Sequence, residues 1–140
     1  MFDFKFDWCP EMECGVKIID EQHQEFFRIV RDMEQLIIHD CKNTSTKQLL
    51  DIVCELREYA TYHFYTEEAL MQKYNYPKFA SHMAEHVDLK TRVLDIDMPT
   101  LAKEPNKVLS QIKESMQDFL FNHILQEDKE LCKFLKTYID

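Results

Sequence analysis

Four stretches of the chain place apolar residues at alternating steps of three and four, the period of one helix face. The first, about 18–40, carries Ile19, His23, Phe26, Val30, Met33 and Ile37. The second, about 46–74, follows the polar Asn43-Thr44-Ser45, which offers N-caps, and runs Leu49, Val53, Leu56, Ala60, His63, Glu67, Leu70, Tyr74. The third begins near Pro77, a good first-turn residue. It runs Phe79, His82, His86, Leu89, Val93, Ile96 until the loop with Pro99 and Pro105. The fourth starts near 106 with Leu109, Ile112, Met116, Phe119 and His123 and continues to the C-terminus. Ahead of them, residues 2–8 alternate Phe2, Phe4, Phe6 and Trp8 with Asp3, Lys5 and Asp7. That period of two predicts an extended arm laid over the body. The expected fold is all-α: one domain over 1–140, an antiparallel up-down-up-down four-helix bundle with an extended N-terminal arm.

The stripes are interrupted by side chains that an apolar interior does not accept unless something binds them: His23, His63 and Glu67, His82 and His86, His123, and then Asp128. Their heights agree. His23 and His63 each lie 17 residues from the turn between 40 and 46, roughly 25 Å along either helix at 1.5 Å per residue. The pairs His63/Glu67 and His82/His86 sit at similar distances from the turn between Tyr74 and Pro77. Residues at i and i+4 are neighbours on a helix face, so each pair can address one centre. Five imidazoles exceed what one tetrahedral metal accepts; two metals sharing Glu67 and Asp128 would use all seven groups. An imidazole-rich set suits iron, zinc or copper over calcium or magnesium. His39, near the end of the first helix, reads as a solvated C-terminal residue and not as a ligand.

The last helix holds an irregularity. Beyond His123 its stripe should pass through 126 or 127, 130, 134 and 137, which are mostly polar; the apolar register resumes one residue out of step, as Leu131, Leu135 and Tyr138 after Asp128. On a regular helix His123 and Asp128 would point about 140° apart. A π-bulge between them would absorb the extra residue and align the two.

Composition narrows the class. A single glycine and four prolines disfavour an all-β chain with its many tight turns. The net charge of −9 opposes nucleic acid and anionic membranes. No apolar run approaches the roughly 20 residues of a membrane span, and the start MFDFKFDW does not read as a signal peptide. The expected location is therefore the cytoplasm. Cysteines 9, 14, 41, 54 and 132 are odd in number and include no C-x2-C, so they are expected to stay reduced as packing residues.

Nearly the whole chain resembles the bacterial hemerythrins. The resemblance is carried by Trp8, Gly15-Val16, Ile19-Asp20-Glu21-Gln22-His23, His63-Phe64-x2-Glu67-Glu68-x-Leu70-Met71, Tyr76-Pro77, His82-x3-His86 and His123-Ile124-x3-Asp128. Myohemerythrin, a relative of that family, is itself a standard example of the helix bundle. The resemblance implies a cofactor of two non-haem iron ions. One would be held by His82, His86 and His123 and the other by His23 and His63, bridged by Glu67, Asp128 and an oxo or hydroxo group. It implies dioxygen as the ligand, at the open position of the two-histidine iron, with nitric oxide or small anions as further ligands there. Phe119, Leu120 and Ile124 match the apolar oxygen pocket, Phe119 standing where many relatives carry tryptophan. Reversible oxygen binding for storage, delivery or scavenging is the function expected, with no catalytic residue. The alternatives are a redox enzyme reducing O2, peroxide or nitric oxide at the same centre, and a sensor of oxygen, redox state or iron.

Overall fold

The computed structural model describes residues 8–39, 41, 42, 44–94 and 96–139. Its elements are all helical: a 3-10 turn Pro10–Met12, α1 (Lys17–Ile38), α2 (Thr46–Lys73), α3 (Phe79–Leu89), α4 (Met98–Lys103), α5 (Pro105–Phe119) and α6 (Lys129–Leu135). Two π-helical segments join them, Lys90–Leu94 after α3 and Leu120–Asp128 between α5 and α6. The proposed arm falls on residues 2–8 and lies outside the described residues except for Trp8. That ring is half-buried and meets Phe27 edge-on at 5.5 Å.

Local chemistry sets the helix ends. Before α1, the Asp20 carboxylate accepts from the backbone N–H of Cys14 (2.8 Å) and of Gly15 (3.1 Å), doing the work of a cap from inside the first turn. Gly15 has φ +94°, in the left-handed region that a Cβ disfavours. Ser45 heads α2 in a reciprocal capping box: its Oγ accepts from Gln48 N–H while the Gln48 side chain accepts from Ser45 N–H. Asn75, at φ +54°, ends α2, and Tyr76 N–H returns to the Met71 carbonyl at 2.9 Å.

Three expectations about element boundaries are corrected. Pro77 lies in the turn ahead of α3, whose N-cap is Lys78. The segment with Pro99 is not a plain loop, because Pro99 opens the one-and-a-half-turn α4, which buries Leu101. The fourth helical run also ends at Leu135, short of the C-terminus.

α1 packs on α2 and α5, and α2 packs on α3. The apolar interior divides in two. The larger cluster holds Phe26, Val30, Met33, Val53, Phe64, Leu89, Leu109, Met116 and Ile124; the smaller holds Cys14, Val16, Ile19, Met71, Tyr76, Leu131, Cys132 and Leu135. Each long helical run contributes to both: Ile19 and Phe26 on α1, Ala60 and Met71 on α2, Phe79 and Leu89 on α3, Leu120 and Leu131 on the last run. The stretch of every run between its two contributions is where the histidines and carboxylates lie.

The cysteine expectation is overturned at one pair. Cys14 and Cys132 form a disulfide, which Cys9, Cys41 and Cys54 do not join. The fold brings their Cα atoms to 5.7 Å although 118 residues separate them, inside the disulfide range. Cysteine parity and short-range spacing carry no information about so distant a partner.

Candidate metal centre

All seven residues singled out from the stripes are buried, at 0–1% exposure. They meet as two groups sharing one carboxylate: Glu67 with His82, His86 and His123, and His23, His63, Glu67 and Asp128, each set of ligand-type atoms lying within 4.8 Å of one another. The two carboxylates divide their oxygens between the groups. Glu67 Oε1 is 3.1 Å from both His82 Nε2 and His86 Nε2, whereas Glu67 Oε2 is 3.3 Å from His63 Nε2. Asp128 Oδ1 is 2.8 Å from His123 Nε2 and 3.1 Å from His82 Nε2, and its Oδ2 is 2.7 Å from His23 Nε2.

Although crowded, several of these atoms have no hydrogen-bond partner of acceptable geometry: His23 Nε2, His63 Nε2, His123 Nε2, Glu67 Oε2 and both Asp128 oxygens. Buried polar atoms left in that state are costly, and lone pairs converging on common points are what a cation needs. The donor set, buried imidazole nitrogens with shared carboxylates, fits divalent or trivalent transition metals.

The electrostatics agree. Burial pushes the imidazoles toward neutrality, but for His23 and His82 the Asp128 and Glu67 carboxylates outweigh it and the pKa is raised to about 9. His123 is raised well above its usual value for the same reason, with Asp128 its strongest partner. At His63 burial wins and the pKa is lowered. Burial also opposes ionisation of Glu67 and Asp128, yet the surrounding histidines hold both below the usual carboxylate range. Without a metal, the two carboxylates thus favour the protonated forms of His23, His82 and His123 but not of His63.

The helices aim these groups for different reasons. His23, His63, Glu67, His82 and His86 sit on regular α-helix, each i,i+4 pair on one face. Asp128 reaches the cluster because Leu120–Asp128 is π-helical, which adds the residue that the sequence register demanded. Leu131 and Leu135 follow in the new register, fully buried, while Tyr138 is 58% exposed and stacks on Tyr74.

Outer contacts hold the rings. His63 Nδ1–H donates to Gln22 Oε1 at 2.7 Å, and Gln22 Nε2 donates in turn to Thr66 Oγ1 at 3.1 Å. His86 Nδ1 donates to Glu68 Oε2 at 3.0 Å and His123 Nδ1 to Glu85 Oε1 at 3.3 Å. Phe64 stacks on His86 and Phe119 on His123, while Phe26 meets His63 edge-on. The reading of the stripes missed Glu85 as a partner and gave Gln22 and Glu68 no role. The available signal was a polar side chain directly beside a ligand in the helix. Phe119, Leu120 and Ile124, the residues expected to wall a pocket, are buried at 5%, 1% and 1%. His39 is exposed at the C-cap of α1, away from the cluster.

Comparison with known proteins places this geometry. The family model "Hemerythrin HHE cation binding domain" matches residues 14–135. The chain is 27% identical over 125 residues to a bacteriohemerythrin of Clostridium acetobutylicum, covering 89% of this chain and 97% of that one. It is 31% identical over 119 residues to a bacteriohemerythrin of Methylococcus capsulatus, with 85% and 87% covered. A Campylobacter jejuni bacteriohemerythrin is 29% identical over 117 residues, with 84% and 85% covered. Among the described residues no helix is long and apolar enough to cross a membrane.

Proposed function

This chain belongs to the hemerythrin family, and from that premise we propose that it binds dioxygen reversibly at a buried non-haem di-iron centre. His82, His86 and His123 would hold one iron and His23 and His63 the other, with the Glu67 and Asp128 carboxylates shared between the two. The observation that carries this reading is the division of each carboxylate, one oxygen toward each imidazole group. That is how a bridge between two ions is built, and a single ion would leave half of each carboxylate unused. The scaffold on this reading is one domain over 1–140, an antiparallel up-down-up-down bundle.

When bound, the iron pair supplies two electrons to dioxygen and recovers them on release. The chain's own part is to orient and to exclude water. The two-histidine group offers one imidazole fewer than the three-histidine group, so a metal held there would have more room for a further ligand. Phe119, stacked on His123, and the buried Leu120 and Ile124 give the centre an apolar wall, and dryness would protect a bound ligand from protons. An open groove of about 860 Å³ along α1 and α2 is lined by none of the seven candidate ligands. The fully buried centre suits a small ligand, and the reading is of a binding protein. Anaerobic reconstitution with ferrous iron tests it: two irons per chain and a visible band on oxygen titration are expected. One iron per chain, or no band, would contradict it.

A further inference from the structure

The two imidazole groups differ in what stands behind them. In the three-histidine group, His86 and His123 donate their outer Nδ1–H to carboxylates, Glu68 and Glu85, while His82 Nδ1 is buried with no hydrogen-bond partner among the described residues. In the two-histidine group no carboxylate plays that part. His63 donates to the neutral amide of Gln22, and His23 Nδ1 is buried with no hydrogen-bond partner among the described residues. The outer charge is thus two negative groups on one side and none on the other. Gln22 is only 4% exposed and is pinned at its other end by Thr66, whose hydroxyl donates to the Tyr62 carbonyl. Its amide orientation is therefore fixed, and with it the tautomer of His63, Nδ1–H outward and the Nε2 lone pair inward.

We infer that Gln22 is a positioning residue that makes the two metal positions unequal, orienting His63 without strengthening it as a donor. A carboxylate behind an imidazole pulls its proton outward and makes the inner nitrogen more basic, which tightens the metal and favours its higher oxidation state. A neutral amide fixes the ring without that push. The metal on the His23/His63 side is consequently the more weakly held and the more easily reduced of the two. This rests on the di-iron reading for the identity of the two positions.

The test uses the full chain, stripped of metal and titrated anaerobically with Co²⁺, followed by visible absorption. Two binding phases are expected. Gln22→Glu should tighten the weaker phase about 10-fold, the lower end for outer-partner changes at metal sites, and leave the tighter phase within about 2-fold. Thr66 can rotate its hydroxyl to donate to the new carboxylate. Gln22→Leu should loosen the weaker phase alone, and Glu85→Gln the tighter phase alone. In the iron-loaded protein Gln22→Glu should also lower the midpoint potential relative to the parent. Melting curves of the metal-free variants check that the fold is kept. Weaker-phase constants unchanged in both Gln22 variants, or both phases moving together, would overturn the inference. Because cobalt titration involves no oxygen, absent oxygen binding with the expected cobalt shifts would count against the oxygen reading alone.

Discussion

At the scale of single residues, the account separates side chains that hold metal from those that only surround it. Glu67→Ala or Asp128→Ala should remove a bridge and lose at least one metal by elemental analysis, whereas His39→Ala, exposed at the end of α1, should bind two. Leu120→Ala should let water toward the centre and speed oxidation to the ferric state, with stability falling by roughly 2–5 kcal/mol as for other large-to-small core changes. An unchanged autoxidation rate would remove Leu120 from the oxygen wall. Protons supply a further prediction. In the metal-free fold His23 and His82 titrate at about 9, so at neutral pH a cation must displace their protons. Metal uptake in weak buffer should release acid to an indicator dye, and affinity should rise with pH until about 9 and then level off. The seven candidate ligands were legible in the sequence because each breaks an apolar stripe. Gln22, Glu68 and Glu85 were not, because a polar residue beside a stripe reads the same whether it meets water or the back of a histidine. Glu85, at 39% side-chain exposure, stands partly in both settings.

At the scale of elements, the informative piece is the π-helical turn. Its existence followed from a one-residue slip in the apolar register, and Leu120–Asp128 supplies it with Asp128 fully buried in the cluster. Deleting Gln126 should restore regular helical spacing and rotate Asp128 away from the centre. Metal binding should then fail while circular dichroism shows helix content largely kept; retained stoichiometric binding would mean that the widened turn does not aim Asp128. The second π-helical segment, Lys90–Leu94, had no such signal, since α3's stripe ran on without a slip. α4 also escaped, because six residues beside two prolines do not establish a period. The long helices were legible for the opposite reason: α1 and α2 keep one face apolar over many turns, and Ser45 marks the start of α2 through its capping box.

At the scale of the whole molecule, two apolar clusters hold a polar layer between them, and the Cys14–Cys132 disulfide closes the smaller one. Cys132 lies one turn beyond Asp128, and Cys14 precedes the Asp20-capped start of the helix carrying His23. Closing a loop of 118 residues should be worth about 2–5 kcal/mol. Cys14→Ser with Cys132→Ser should lower the melting temperature of the metal-free chain, and thiol titration under denaturing conditions should count two more free thiols after reduction of the parent. No pattern along the chain announced this pairing, which exists only because folding brings distant segments together. The central claim is that this architecture serves reversible binding of oxygen at two irons. Its most direct measurement is repeated oxygenation and deoxygenation of the ferrous protein, followed by visible absorption and an oxygen electrode, with no reductant added. The account predicts one dioxygen taken up per two irons and returned on evacuation, with the ferrous spectrum restored each cycle. Oxygen consumed without return, leaving a ferric centre after the first cycle, would contradict it.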